Sequence, residues 1–122
     1  MPFSRMEKAA LLFGVLGAAL WGGVAALRTQ PLPAALRVFT NAGPNVACAF
    51  LAVCLLMLGY RLLFRRSPPF AALCAMLAAV FVLGVLSELF YWLALGHGFD
   101  AIDLCATLCA LWLEWLVLRR LG

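Results

Sequence analysis

Four long apolar segments constrain the fold of this chain more than any other feature of its sequence. They cover residues 9–27, 44–64, 70–95 and 102–118. A helix needs about 20 apolar residues to cross the hydrocarbon core of a bilayer. Charged residues make up only 11% of the chain, against about 25% in an average soluble domain. We therefore predict an all-α, polytopic membrane protein, a four-transmembrane-helix bundle that forms a single domain.

The distribution of basic residues predicts the orientation of the helices. Most of the nine basic residues lie near the two termini or between the second and third segments, at Arg5, Lys8, Arg61, Arg65, Arg66, Arg119 and Arg120. Cytoplasmic loops carry the excess of Lys and Arg in membrane proteins. The pattern predicts an N-in/C-in protein of the bacterial cytoplasmic (inner) membrane. The net charge of +4 then reflects topology, and no nucleic-acid partner is predicted.

Proline, glycine and small residues predict the helix boundaries and one packing face. Residues 34–39 are expected to form a short interfacial helix, and residues 40–45, with Pro44 in the first turn, to begin the second span. Residues 96–98 should end the third span. Arg61 is expected to extend its guanidinium to the interface. Small residues at four-residue spacing predict close packing of the first helix at Ala10, Gly14, Ala18 and Gly22.

Polar residues near the outer ends of the segments form the candidate site. An ionisable residue within a span is a functional candidate by default and should face the bundle interior. Glu88 lies about two turns from the outer end of the third span. Helical spacing places Asp100, Asp103, Thr107 and Glu114 on one stripe of the fourth span. The predicted ligand-binding residues are Glu88, Asp100, Asp103, Thr107, Asn41, Asn45 and His97.

Each of these groups also has a plainer interpretation. The outer cluster either binds a polar headgroup, an amphiphile or a cation, or only caps helices and ties them together by hydrogen bonds. His97 is either a pH-sensing or ligating group or a solvated loop residue beside Asp100. An ion pair with Arg119 or solvation at the inner interface is expected to account for Glu114.

The second half of the chain resembles a known signature. Glu88 followed by residues 96–107 is similar to the pattern of the VanZ-like family of small bacterial membrane proteins. In that family a glutamate near the end of one helix precedes an R-x-x-D-x-x-D-x-x-x-N pattern that enters the next. Asp100 and Asp103 match the two aspartates. The resemblance implies a four-helix membrane fold and a role in envelope biology or glycopeptide tolerance, without a defined reaction.

The chain departs from that signature at several positions. His97 stands where the family has arginine, Tyr91 where glutamine is usual, and Thr107 where asparagine is usual. A fixed positive charge is thereby replaced by a titratable one, which weakens the case for an anion-binding role. The first half of the chain matches by hydropathy alone.

No set of residues predicts catalysis or cofactor binding. The five cysteines fall within predicted spans, where free cysteine behaves as a small hydrophobic residue. Cys105 and Cys109 have the spacing of a metal pair, but no histidine shares their face. We predict no enzyme activity, no cofactor and no metal. The predicted function is binding of a lipid or amphiphile headgroup or of a protein partner, with membrane lipids or a larger membrane complex as partners. The alternative is a small proton-coupled transporter that uses Glu88.

Overall fold

The computed structural model describes residues 2–29, 31, 33–96 and 101–121. These residues form four α-helices, namely α1 (Arg5–Leu27), α2 (Ala34–Phe64), α3 (Phe70–Ala94) and α4 (Ala101–Leu121). All four are long and apolar enough to cross a membrane, and the spanning part of α2 is Gly43–Phe64. The predicted all-α fold with four transmembrane helices is therefore confirmed, and the chain is a multi-pass membrane protein.

Consecutive helices run in opposite directions. The first turn of α1 contacts the last turn of α2 through Glu7 and Arg61, and the residue that caps the C-terminus of α1, Arg28, contacts Thr40 near the start of α2. We call the end of the bundle that holds Arg5 and Leu121 the terminal end. The opposite end, which holds the α1–α2 and α3–α4 connections, is called the loop end.

The closest helix contact in the bundle joins α1 to α2 at two glycines. A Cβ atom at Gly14 would lie 2.6 Å from the Sγ atom of Cys54, and one at Gly17 would lie 2.9 Å from the carbonyl oxygen of Ala47. Both distances are shorter than real carbon contacts allow. Only glycine therefore permits this approach, which small residues commonly provide in membrane helices.

The predicted small-residue face of α1 is half right. Ala10 and Gly14 are buried, whereas Ala18 and Gly22 are exposed. A strict four-residue repeat advances about 40° around the helix at each step, because 3.6 residues make one turn. The buried face therefore passes from Gly14 to Gly17, a three-residue step that keeps it toward α2.

The core of the bundle is apolar, and α3 contributes least to it. The rings of Phe13 in α1 and Phe50 in α2 lie 4.9 Å apart at their centroids, and Leu73 of α3 and Leu118 of α4 are fully buried beside the same cluster. Only 17% of the apolar window of α3 is buried, against 28% or more in the other three helices. Most of α3 therefore lies on the outer surface of the bundle.

The second helix is continuous from Ala34 to Phe64 and contains Pro44. Residues 34–39 are helical, but they are continuous with the span, so the predicted helix start over residues 40–45 is wrong. Proline has no N–H, so Pro44 leaves the carbonyl of Thr40 without its usual helical donor. The Nη2 atom of Arg28 donates to that carbonyl oxygen at 3.1 Å. A guanidinium from the end of α1 thus replaces the missing backbone hydrogen bond.

Arg28→Gln is expected to lower the free energy of unfolding by about 1–3 kcal/mol, because the buried carbonyl of Thr40 loses a charged donor. In a Pro44→Ala background the new amide at residue 44 can pair with that carbonyl, so the same substitution should cost less. Reversible unfolding by dodecyl sulfate in mixed micelles measures both values. Arg37→Gln is the control, since Arg37 is exposed, and it should change stability by less than about 0.5 kcal/mol. If Arg28→Gln lowers the free energy of unfolding equally in the two backgrounds, the guanidinium of Arg28 does not replace the hydrogen bond that Pro44 lacks.

Candidate functional site

A cavity of about 310 Å³ lies between α2, α3 and α4, toward the loop end. Its size is near the lower limit of ligand-binding pockets, about 300 Å³. Gly84 helps to keep it open, because the nearest atom to a Cβ there would be the Cγ2 atom of Thr107 at 3.8 Å. We call this space the Glu88 cavity, and it is lined by Asn45, Cys48, Ala49, Ala52, Val80, Leu83, Gly84, Ser87, Glu88, Tyr91, Leu104 and Thr107.

The lining of the Glu88 cavity changes from polar to apolar with depth. Asn45, Ser87 and Glu88 lie toward the loop end, whereas Val80 and Ala52 lie deeper in the bundle. Glu88 carries the one carboxyl group among these lining residues, and none of them is basic. No hydrogen bond or ion pair joins the Glu88 carboxyl to another part of the chain that the structure describes. The cavity therefore combines one carboxyl group, without a partner among the described residues, with apolar walls.

The structure brings together three of the predicted site residues, namely Glu88, Asn45 and Thr107. The hydroxyl of Thr107 donates to the backbone carbonyl oxygen of Asp103 at 3.1 Å.

Two of the other predicted site residues, Asp103 and Asn41, do not line the cavity. Asp103 is half-buried and Asn41 is exposed. Asn41 lies within the continuous α2 rather than at a helix start. His97 and Asp100 lie outside the described residues. Of the acidic cluster predicted at this end, Glu88 is the one member among the described residues that lines the cavity.

Glu114 lies two turns beyond Thr107 on the buried face of α4, with Ala110 and Leu118. It is 0% exposed, and neither carboxyl oxygen has a hydrogen-bond partner among the described residues. The expected solvation or ion pair with Arg119 is wrong, since the Arg119 guanidinium lies 5.2 Å from the centroid of the Trp115 ring. Five residues along a helix correspond to a rotation of about 140°. Arg119 therefore points away from Glu114.

Glu7 is a buried acid that the sequence analysis missed. Its backbone N–H donates to Oγ of Ser4 at 3.2 Å, and its Oε1 atom accepts from the Ser4 N–H at 3.0 Å. Its Oε2 atom accepts from Nη1 of Arg61 at 2.7 Å, and its Oε1 atom also accepts from the hydroxyl of Ser67. Arg61 is therefore held by an ion pair with Glu7 at the terminal end of the bundle, a partner that the sequence did not predict. The Ser-x-x-Glu spacing of a capping box was the available signal.

These features define a class of protein, a multi-pass α-helical membrane protein with a ligand-sized cavity between three of its helices. No family model, curated protein or solved structure matches the chain. The function is therefore argued from the cavity and from the charges of the bundle.

The two fully buried glutamates should respond in opposite ways to the same substitution. Glu7→Met is expected to lower the free energy of unfolding by about 3–5 kcal/mol, because it leaves Arg61 without its partner. Glu114→Met is expected to raise it by about 1–3 kcal/mol, because it removes two buried oxygens that have no hydrogen-bond partner among the described residues. Methionine has nearly the length of glutamate in both cases. Unfolding by dodecyl sulfate measures both changes, and a large loss of stability in Glu114→Met would show that its carboxyl has a partner.

Proposed function

We propose that this protein binds a cationic amphiphile in the Glu88 cavity and that its role is non-catalytic. The observation that carries this proposal is the lining of the cavity, which combines one carboxyl group and no basic residue with apolar walls. Such a lining favours a positively charged head over an anionic one. It also favours a ligand with a hydrocarbon tail over a free ion.

The arrangement of the lining residues indicates how the ligand would be oriented. A charged head at Glu88 lies within the same cavity as the polar side chains of Asn45 and Ser87. The tail would extend along Val80 and Leu83, deeper between the helices. Attraction between an ammonium group and a carboxylate is stronger in a low-dielectric site than in water. The ligand would thus offset the cost of keeping the Glu88 charge inside the membrane.

The position of the cavity in the membrane follows from the proposed orientation. The basic residues at the terminal end support an N-in/C-in topology in a bacterial inner membrane. The cavity would then open toward the outer leaflet, where envelope lipids and exogenous amphiphiles enter. Membership of the VanZ-like family and a role as an accessory subunit of a larger complex remain predictions within the same proposal.

Glu88→Gln is expected to weaken the binding of decyltrimethylammonium by about tenfold or more, because one charge-assisted contact of at least about 1.4 kcal/mol is lost. Equilibrium dialysis against protein in lipid nanodiscs measures the affinity. An uncharged decyl glycoside is the comparison ligand, and its binding should not depend on Glu88. Filling the cavity by Gly84→Leu should weaken both ligands.

The matched control is Glu114→Gln, which also removes a carboxyl from the bundle but not from the cavity wall. Its affinity for the cation should equal that of the wild type. Equal binding by the wild type and Glu88→Gln would overturn the proposal. If proteoliposomes show proton-driven flux of the cation and this flux is lost in Glu88→Gln, the protein is a transporter rather than a binding protein.

A further inference from the structure

A second cavity opens at the terminal end of the bundle, at the opposite end from the polar mouth of the Glu88 cavity. Its volume is about 570 Å³. The last turns of α2 form one wall, and the segment before α1 closes one side. We call it the arginine groove, and it is lined by Phe3, Leu58, Arg61, Leu62 and Arg65.

The two arginines of the groove have different electrostatic roles. Arg61 forms an ion pair with the buried Glu7 at 2.7 Å, and its guanidinium carbon lies 4.2 Å from the centroid of the Phe3 ring. Its charge is therefore balanced and its position is fixed. Arg65 is exposed and pairs with no acidic side chain in the described part of the chain. The groove thus retains the positive charge of Arg65.

The backbone of Arg65 is in a conformation that arginine rarely adopts. Its φ and ψ angles are 54° and 34°, and it is the one non-glycine residue of the described chain with positive φ. This left-handed conformation costs about 1–2 kcal/mol for a residue with a Cβ atom, and glycine usually occupies it at helix ends. The backbone N–H of Arg65 donates to the carbonyl of Arg61 at 2.9 Å, which ends α2. A guanidinium is therefore kept at the mouth of the groove despite local strain.

The remaining wall of the groove is apolar and faces the bilayer. Leu58 and Leu62 are one helical turn apart, and Leu62 is 80% exposed. They belong to the spanning part of α2, Gly43–Phe64. The groove therefore joins a hydrocarbon-facing wall to an unbalanced guanidinium at the edge of the membrane. A soluble anion would contact only the guanidinium and not the apolar wall.

We propose that the arginine groove binds an anionic phospholipid, with the phosphate group on Arg65 and an acyl chain along Leu58 and Leu62. The planar guanidinium can donate two parallel hydrogen bonds to a phosphate. Basic pockets at the edge of transmembrane helices are typical sites for anionic headgroups. This site is independent of the Glu88 cavity, because the two share no residue.

Native mass spectrometry of the detergent-solubilised protein tests the proposal, with phosphatidylglycerol and phosphatidylcholine of identical acyl chains as probes. The wild type should retain phosphatidylglycerol about fivefold more than phosphatidylcholine, the factor expected for one basic residue near a membrane surface. Arg65→Gly should bring this ratio close to one. The same substitution should raise resistance to thermal unfolding, because glycine relieves the strain at positive φ. Loss of the lipid preference in a more stable protein excludes misfolding as its cause.

Lys8→Gln is the matched control, since it removes one exposed positive charge from the same end of the bundle and leaves the groove intact. It should keep the preference for phosphatidylglycerol. An equal loss in Lys8→Gln and Arg65→Gly would show diffuse attraction and overturn the site. Equal retention of the two lipids by the wild type, or complete displacement of phosphatidylglycerol by inorganic phosphate, would also overturn it.

Discussion

The rest of the bundle depends on the close approach of α1 to α2 at Gly14 and Gly17. Lipid tails are as apolar as leucine, so helices in a bilayer associate through tight packing and hydrogen bonds rather than through the hydrophobic effect. This approach brings Glu7 within reach of Arg61 at one end of the pair and Arg28 within reach of Thr40 at the other. The helices α3 and α4 also pack against α2. The α1–α2 pair is thus the most closely packed pair of the bundle, and α2 contacts each of the other three helices.

The three glutamates of this chain lie in apolar helices but have three different environments. Glu7 is fully buried and has three donors, from Ser4, Arg61 and Ser67. Glu114 is equally buried and has no hydrogen-bond partner in the part of the chain described by the structure. Glu88 is half-buried and lines a cavity. Burial alone therefore does not separate the environments of these three acids, whereas the available partners and the open space do.

The parts of the fold that depend on local sequence could be predicted, and those that depend on tertiary partners could not. The third span was expected over residues 70–95 and is Phe70–Ala94, because prolines precede it and Gly96 adopts a φ of 73° just after it. The continuation of α2 through Pro44 could not be predicted, because it depends on a hydrogen bond from Arg28 at the end of α1. Within the candidate site, Glu88, Asn45 and Thr107 line one cavity, whereas Asp103 and Asn41, which were expected beside Glu88, do not line it. The inward orientation of Glu114 was predicted from its spacing to Thr107, and both residues are buried. Its expected pairing with Arg119 failed, because a five-residue separation turns the two side chains about 140° apart.

The buried carboxyl of Glu114, which has no hydrogen-bond partner within the part of the chain that the structure describes, also bears on how the bundle assembles. An isolated α4 in the bilayer would expose this group to lipid, at a cost of a few kcal/mol. Contact with the preceding helices removes it from lipid, since it is completely enclosed in the assembled structure. The cost is therefore borne by the separated helix and partly relieved on docking. Glu114 is expected to lower the stability of the assembled bundle. It also makes α4 depend on contact with the preceding helices to remain stably inserted in the membrane.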